Sequence, residues 1–198
     1  MKETLRQVKG IVLLVLFMPQ DIFLRMRHQD LFPLAFLLQA IRWEGTALTT
    51  MMSIYRYAPP MLLPVPFGLE QSSYRMAEVI AYGPYGFVII SAMAYVLWRW
   101  GRSHARGGEM SFRRCWALVG LTFFTPWIPS LLIDSYLVRA GLGGPMVIIP
   151  WHVTIVVVEC VLTAKGLILV FDLPVATARR LAGAVGLTFL FAAGLLIR

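Results

Sequence analysis

The chain has 198 residues, of which 59% are hydrophobic and only 14% are charged. A soluble domain is about 45–50% apolar and about 25% charged, so this composition predicts an integral membrane protein and argues against a soluble enzyme. The formal charge of +8 does not point to nucleic acid, because the basic residues lie in loops between apolar segments. That arrangement is typical of membrane proteins.

The first 30 residues are predicted to form an N-terminal interfacial segment. The apolar stretch Ile11–Met18 is followed by Pro19 and not by a small-residue cleavage site, so we expect it to be retained. Asp21–Arg27 alternates apolar and charged residues. This pattern predicts an amphipathic helix lying in the membrane interface beside anionic lipid, with Ile22, Phe23 and Met26 on its apolar side.

The next segment is a weak candidate for a membrane span. Leu31–Met52 is long enough to cross, but Arg42 and Glu44 fall near its middle. We predict a first transmembrane helix here, with a half-inserted helix as the alternative. Tyr57–Phe67 is rich in proline and predicts an extended connection.

Four strong apolar segments follow, each long enough to cross a hydrocarbon core about 30 Å thick. Because unpaired backbone groups are costly in lipid, each is predicted to be helical. Residues 31–198 are therefore predicted to form an all-α, polytopic transmembrane bundle of about five helices, preceded by the interfacial amphipathic helix. The four segments are Val79–Trp98, Trp116–Leu137, Trp151–Phe171 and Leu181–Ile197.

The distribution of arginine predicts the orientation. The loop Arg99–Arg114 holds five arginines and is expected in the cytoplasm, whereas Arg139–Pro150 holds one basic residue and is expected outside. With about five spans, the N-terminus is then cytoplasmic and the C-terminus lies outside. The predicted location is the cytoplasmic (inner) membrane of a bacterium.

Glu159 is the strongest candidate for an intramembrane site, because it lies near the middle of an apolar segment. It shares one helical face with His152, Val156, Thr163 and Gly166. One interpretation is a proton or cation site facing the bundle interior. The other is a protonated side chain hydrogen-bonded to a neighbouring helix, in which case Glu159→Gln would leave the fold nearly intact.

Lys165 and Asp134 complete the candidate polar site. Lys165 lies nearer the predicted cytoplasmic end, where a long side chain can reach the headgroups. Arg42 and Glu44 are candidate partners of Lys165 or of Glu159. Asp134 continues a strip at intervals of four residues.

That strip, which comprises Thr122, Pro126, Ser130 and Asp134, predicts a second polar face. Pro126 and Pro129 should bend or unwind the helix, which suits either a simple kink or a binding cavity. In the last span, Ala182 and Gly186 form a small-residue face, with Ala193 and Gly194 beyond it, and predict close helix packing.

Recognisable catalytic motifs are missing from the sequence. His28, His104 and His152 fall in three separate regions, and no zinc-protease, phosphate-loop or nucleophile-elbow pattern occurs. We therefore predict a protein that is not an enzyme and has no catalytic, cofactor-binding or metal-binding residues.

Several short motifs resemble the bacterial Yip-type membrane domain, a family named from Ypt/Rab-interacting proteins. They run over most of the chain and include a short amphipathic entry, a Tyr-Gly-Pro-aromatic motif before a span, and a Thr-Pro-Trp break. The matching segments are Phe17–Phe23, Tyr82–Tyr85, Met110–Arg114, Thr125–Trp127 and Asp172–Arg180.

The resemblance implies a five-helix bundle with a role in membrane organisation, trafficking or partner docking. Expected partners are the lipid bilayer and other membrane proteins or a second copy of the chain. No GTPase partner is carried over, because Ala81 stands where eukaryotic relatives have Asp-Leu before the motif. The alternatives are a small transporter or channel subunit that uses Glu159 and Asp134, and an accessory subunit of a larger membrane complex.

Overall fold

The computed structural model describes residues 19–57, 65 and 68–196, and this part of the chain is helical without β-strands. We number its α-helices α1 to α8. A π-helical segment, Ala47–Met51, joins α2 to α3. The helices are α1 (Pro19–Met26), α2 (Phe32–Thr46), α3 (Met52–Tyr57), α4 (Gln71–Gly101), α5 (Phe112–Thr122), α6 (Trp127–Arg139), α7 (Pro145–Phe171) and α8 (Val175–Leu196).

Three of these helices are long and apolar enough to cross a membrane, namely α4, α7 and α8. The pair α5–α6 passes the same length and composition test only if both helices count as one broken span, which gives up to four. The described part of the chain thus confirms the prediction of an all-helical integral membrane protein. It does not confirm the count of five spans.

Helix α5 lies in the middle of the bundle. Every residue from Cys115 to Phe124 is buried, and α2, α4 and α7 all pack against this helix. A helix that is buried on all sides, instead of along one stripe, is a core helix. Helix α8 closes the bundle by packing against both α4 and α7.

The predicted single span Trp116–Leu137 is divided into two helices. Helix α5 ends at Thr122 and α6 begins at Trp127, and their axes differ in direction by 47°. The break was predicted from Pro126, which has no N–H to continue the helical hydrogen bonds. Beyond the break, α6 packs mainly against the π-helical segment and α3.

Helix α2 continues without interruption through the π-helical segment into α3, from Phe32 to Tyr57. The Asp30 carboxylate accepts a hydrogen bond from the Phe32 N–H at 3.0 Å, so it satisfies one of the free donors at the start of α2. The predicted weak span, Leu31–Met52, is therefore the beginning of a longer helix. Most of the predicted extended connection Tyr57–Phe67 lies outside the described residues, as does Ile11–Met18.

One end of the bundle, here called the arginine-rich end, is formed by three connections. They are the α1–α2 turn, the α4–α5 loop and the α7–α8 link. The loop is held to the end of α7, because the N–H groups of Arg106 and Gly107 both donate to the Phe171 carbonyl at 3.1 Å. Helix α1 packs against α7 at the same end.

The sides of α1 are the predicted ones. Ile22, Phe23 and Met26 are buried, whereas Arg25 and Arg27 are exposed. The apolar side contacts α7, because Gly166 leaves room for a neighbouring ring at that point. A Cβ built on Gly166 would lie 3.3 Å from Phe23. The position of α1 in the membrane interface stays a prediction.

Candidate functional site

A buried ion pair occupies the middle of the bundle. Glu159, on α7, is fully buried, and its Oε1 lies 3.2 Å from Nη2 of Arg42 on α2. Arg42 was only one of the candidate partners expected for Glu159. Glu44, the other candidate partner, is exposed and does not join the pair, and Lys165, for which Arg42 was also a candidate, is exposed as well. An ionised side chain at this depth is costly unless a neighbour pairs with it.

The Arg42 guanidinium also caps a free backbone carbonyl at the break between α5 and α6. Its Nη1 donates to the carbonyl of Phe123. In a continuous helix, the Trp127 N–H would bind that carbonyl, but here it donates to the Phe124 carbonyl at 3.0 Å instead. Arg42 thus supplies the donor that the break takes away.

Gln39 acts in the same way one turn earlier. Its Nε2 donates to the Gly120 carbonyl at 2.6 Å, in place of the Phe124 N–H, which has turned to the Leu121 carbonyl. One turn after Arg42, Thr46 Oγ1 accepts a hydrogen bond of 2.8 Å from the Trp127 indole.

We call these three contacts the polar ladder: Gln39 to Gly120, Arg42 to Phe123 and Thr46 to Trp127. Each contact joins residues 81 positions apart, so α2 and α5–α6 run in parallel and in register. Backbone groups left unpaired in a membrane interior cost several kcal/mol each, on the order given for unsatisfied polar groups. The ladder therefore makes a broken helix tolerable in the bundle core.

Aromatic rings surround the Arg42 guanidinium. Its centre lies 5.3 Å from the Trp43 ring, 5.7 Å from the Phe189 ring and 5.9 Å from the Phe123 ring. Contacts within about 6 Å of a ring are attractive for a cation. The rings also exclude water, which strengthens the attraction between Arg42 and Glu159.

The polar stripe predicted on α7 is present and points inward. Val156, Glu159, Thr163 and Gly166 are all buried. Thr163 Oγ1 donates to the Glu159 carbonyl at 2.8 Å and lies 2.9 Å from the hydroxyl of Thr122 on α5. This stripe holds α7 against α5.

Asp134 and His152, which the sequence placed on two separate strips, meet in a second cluster between α6 and α7. Asp134 is buried and accepts a 2.8 Å hydrogen bond from the Trp151 indole at Oδ1. Its Oδ2 lies 3.2 Å from His152 Nε2, and the Ser130 hydroxyl donates to it at 3.5 Å. The prediction that His152 shares a face with Glu159 holds for the helix, but its contact is with Asp134.

The predicted strip on the second span is divided by the bend. Ser130 and Asp134 stay together on α6, whereas Thr122 contacts α7 from α5. Lys165 is exposed on the outer surface of α7, and its reach toward headgroups stays a prediction. The four predicted polar residues thus divide among the ion pair, the Asp134 cluster and the outer surface.

Among the residues that the structure describes, no group of three or more His, Cys, Asp and Glu side chains could hold a metal ion. The arrangement can bind helices together through charge pairs and backbone caps. Comparison of the chain with protein-family models, with curated proteins and with solved structures finds no match.

Proposed function

We propose that this chain is a non-enzymatic multi-pass membrane protein that organises the membrane or docks partner proteins, as its resemblance to the Yip-type domain implies. One observation supports this above all. Within the described part of the chain, each buried arginine pairs with a carboxylate, and each buried carboxylate pairs with an arginine or a histidine. The pairs are Arg42–Glu159, Arg75–Glu78 and Asp134–His152.

Two of these pairs, Arg42–Glu159 and Asp134–His152, join different helices, whereas Arg75–Glu78 lies within α4. A membrane-embedded ionisable residue points to a transport pathway when it faces a water-filled cavity or takes part in a proton relay. Glu159 instead packs against Arg42 and its aromatic rings, and Asp134 is buried beside Trp151. Polar side chains used in this way favour a scaffold over a pump.

The proposal includes five spans, with the Phe32–Tyr57 helix as the first. At about 1.5 Å per residue that helix is long enough to cross a core about 30 Å thick, and its central arginine has an internal partner. With the arginine-rich end in the cytoplasm, the N-terminus lies inside and the C-terminus outside, in a bacterial inner membrane.

Cysteine labelling tests this orientation. Ser103, in the arginine-rich loop, and Leu142, at the opposite end, are both exposed. In intact cells, a membrane-impermeant maleimide should label Leu142→Cys and leave Ser103→Cys unlabelled until the cells are permeabilised. Cys115 is buried, so Cys160→Ala suffices as the background. Labelling of Ser103→Cys from outside would reverse the proposed orientation.

A small transporter or channel subunit is the second candidate, and one observation favours it. Neither carboxylate oxygen of Glu159 makes a well-aligned hydrogen bond within the described part of the chain, although Oε1 is close to Arg42. An acid with spare acceptors could bind a proton or cation that enters the bundle.

Flux measurements separate the two candidates. Vesicles that contain the purified chain and a pH-sensitive dye should pass no more protons under an imposed gradient than vesicles without protein. A flux in the wild type that is lost in Glu159→Gln would favour the transporter and contradict the scaffold proposal. Lys165→Gln, which alters a nearby charge on the outer surface, is the control.

Photo-crosslinking tests the docking role directly. A photoreactive residue in place of Arg102, exposed at the arginine-rich end, should give a discrete protein adduct in intact cells. The same residue at Met146, which is 88% exposed at the opposite end, is the control. Adducts with lipid alone at every exposed position tried would contradict partner docking.

A further inference from the structure

A cavity of about 230 Å³ opens at the arginine-rich end, between the α1–α2 turn and the beginning of α5. Among the residues that the structure describes, its polar lining contains three arginines and a single carboxylate. The residues concerned are Arg27, His28, Gln29, Asp30, Arg113 and Arg114. Apolar side chains complete the wall at Met26, Leu31 and Ala117. The cavity therefore has a cationic side and an apolar side.

Arg27 and Arg113 are each held in place by some of their guanidinium nitrogens, while the other nitrogens stay available to a ligand. Arg27 donates through Nε to the carbonyl of Leu169 on α7. Arg113 donates to Asp30 through Nε at 2.9 Å and contacts it through Nη2 at 2.6 Å, while its guanidinium lies over the Phe32 ring at 4.5 Å. Within the described residues, this leaves both terminal nitrogens of Arg27 and Nη1 of Arg113 as donors without a protein acceptor.

Arg114 has a different use. It donates to the carbonyls of Glu109 at 3.0 Å and Met26 at 3.1 Å, so it fastens the α4–α5 loop to the end of α1. It therefore shapes the cavity and adds positive charge, but both of its terminal nitrogens already donate to carbonyls. The fixed guanidinium groups nearby have lost part of their freedom already, which lowers the entropy cost of binding an anion.

Asp30 does not cancel this positive charge. The hydrogen bond from Arg113 and the N–H of Phe32 lower the pKa of the Asp30 carboxyl, so it stays ionised and counts as one negative charge. The described lining thus sets three positive guanidinium groups against this one negative charge. The balance at the cavity is cationic.

The size and position of the cavity narrow the choice of anion. Pockets for drug-sized ligands are about 300–1,000 Å³, so this cavity suits a smaller group. It opens where spanning helices end, beside buried apolar side chains of α1 and α5. Basic pockets between transmembrane helices bind anionic headgroups, and the arginine fork matches the oxygens of a phosphate.

We propose that this cavity binds the phosphate of an anionic phospholipid headgroup, with Arg27 and Arg113 as the donors. The site is separate from the polar ladder, and it does not rest on the proposed docking role.

Lipid titration of the full-length chain tests the site. Native mass spectrometry from a detergent micelle should show phosphatidylglycerol binding more tightly than phosphatidylcholine. The double variant Arg27→Gln/Arg113→Gln should weaken phosphatidylglycerol binding on the order of 25-fold, or about fivefold for each arginine near a lipid surface. The matched control is Arg179→Gln/Arg180→Gln, which removes two exposed arginines outside the cavity and should change affinity less than about twofold.

Two further variants keep the test independent of folding. Asp30→Asn removes the one carboxylate among the described residues that line the cavity and should tighten phosphatidylglycerol binding about fivefold. Arg27→Lys keeps the charge but removes the fork, and should weaken binding less than Arg27→Gln. Thermal unfolding without added lipid checks that each variant is folded.

The outcomes are distinct. Equal losses in the cavity variant and in the control would mean general surface attraction and would overturn the site. Soluble glycerol phosphate that competes at the same concentration as the lipid would identify a site for free phosphate, and this too would overturn the lipid proposal. Tighter binding by Asp30→Asn together with a selective loss in the arginine variant would support it.

Discussion

Glu159→Leu is expected to lower the free energy of unfolding by about 3 kcal/mol, because it leaves Arg42 buried without its counter-charge. Arg42→Met should cost at least as much. It isolates Glu159 and also removes the donor that caps the Phe123 carbonyl. Reversible unfolding in mixed detergent micelles would measure both values.

The double variant Arg42→Met/Glu159→Leu separates the two roles of Arg42. Removing both charges eliminates the unpaired ion, so part of the lost stability should return. The Phe123 carbonyl stays uncapped, however, and we expect a remaining deficit of about 1–3 kcal/mol. Because the residues are in contact, the effects of the single variants should not add.

The control for this series is Lys165→Met, on the outer surface of the same helix as Glu159. It should change the stability by less than about 0.5 kcal/mol. If Glu159→Leu unfolds like the wild type, or if the double variant loses as much as the two single variants together, the ion pair does not stabilise the bundle.

The ion pair also changes what we expect of Glu159→Gln. The sequence alone favoured a neutral acid with one hydrogen bond, which glutamine could replace with little loss. A glutamine at position 159 cannot balance the charge of Arg42, which lies 3.2 Å away. We now expect Glu159→Gln to be destabilising, by less than Glu159→Leu, since glutamine keeps a polar oxygen beside the guanidinium and leucine does not.

Features that depend on local sequence could be predicted well. Apolar length indicated α4, α7 and α8, which are long and apolar enough to cross a membrane, and Pro126 indicated the break between α5 and α6. The inward polar stripe around Glu159 followed from helical spacing alone. Such properties depend on residues within a turn or two of each other.

The polar ladder could not be predicted in this way, because it depends on how α2 and α5–α6 align. Gln39, Arg42 and Thr46 do follow at intervals of three and four residues, and this spacing was the available signal. The acceptors of Gln39 and Arg42, however, are backbone carbonyls that become free only when the helix breaks, and the donor to Thr46 is the Trp127 indole beyond the break. The partners of a polar residue in a membrane bundle are therefore set by a distant segment.

Asp134 and His152 illustrate the same limit. Each was singled out as a polar residue, but on different strips of different spans. The 47° bend redirects α6, and the Asp134 carboxylate meets Trp151 and His152 near the beginning of α7. The π-helical segment was likewise missed, since no composition rule distinguishes it from an ordinary turn.

Gly86→Ala is expected to lower the free energy of unfolding by about 1–3 kcal/mol, the usual cost of overpacking a core. Gly86 lies on α4 directly against the Trp43 indole of α2, and a Cβ placed there would overlap the ring. The indole cannot easily turn aside, because the Tyr82 ring lies 5.2 Å from it and Arg42 lies 5.3 Å from its centre. This clash outweighs the helix propensity that alanine gains over glycine, about 1 kcal/mol.

Gly183→Ala is the matched control. Gly183 is also inside a helix, α8, but a Cβ there would have no atom within 4 Å. It should be neutral or slightly stabilising, by up to about 1 kcal/mol. Trp43→Leu should restore part of the stability lost in Gly86→Ala, and it breaks no hydrogen bond because the Trp43 indole N–H has no partner within the described residues.

The comparison of Gly86→Ala with Gly183→Ala also tests how α2, the beginning of the proposed first span, packs in the bundle. Close contact between Gly86 and Trp43 requires α2 to cross the bundle beside α4, at the depth of the Arg42–Glu159 pair. A half-inserted helix would leave space at this position, and alanine would then be accepted. If Gly86→Ala and Gly183→Ala are equally well tolerated in detergent and in vesicles, α2 does not pack against α4 at this depth, and the Phe32–Tyr57 helix loses the contact that supports it as a membrane span.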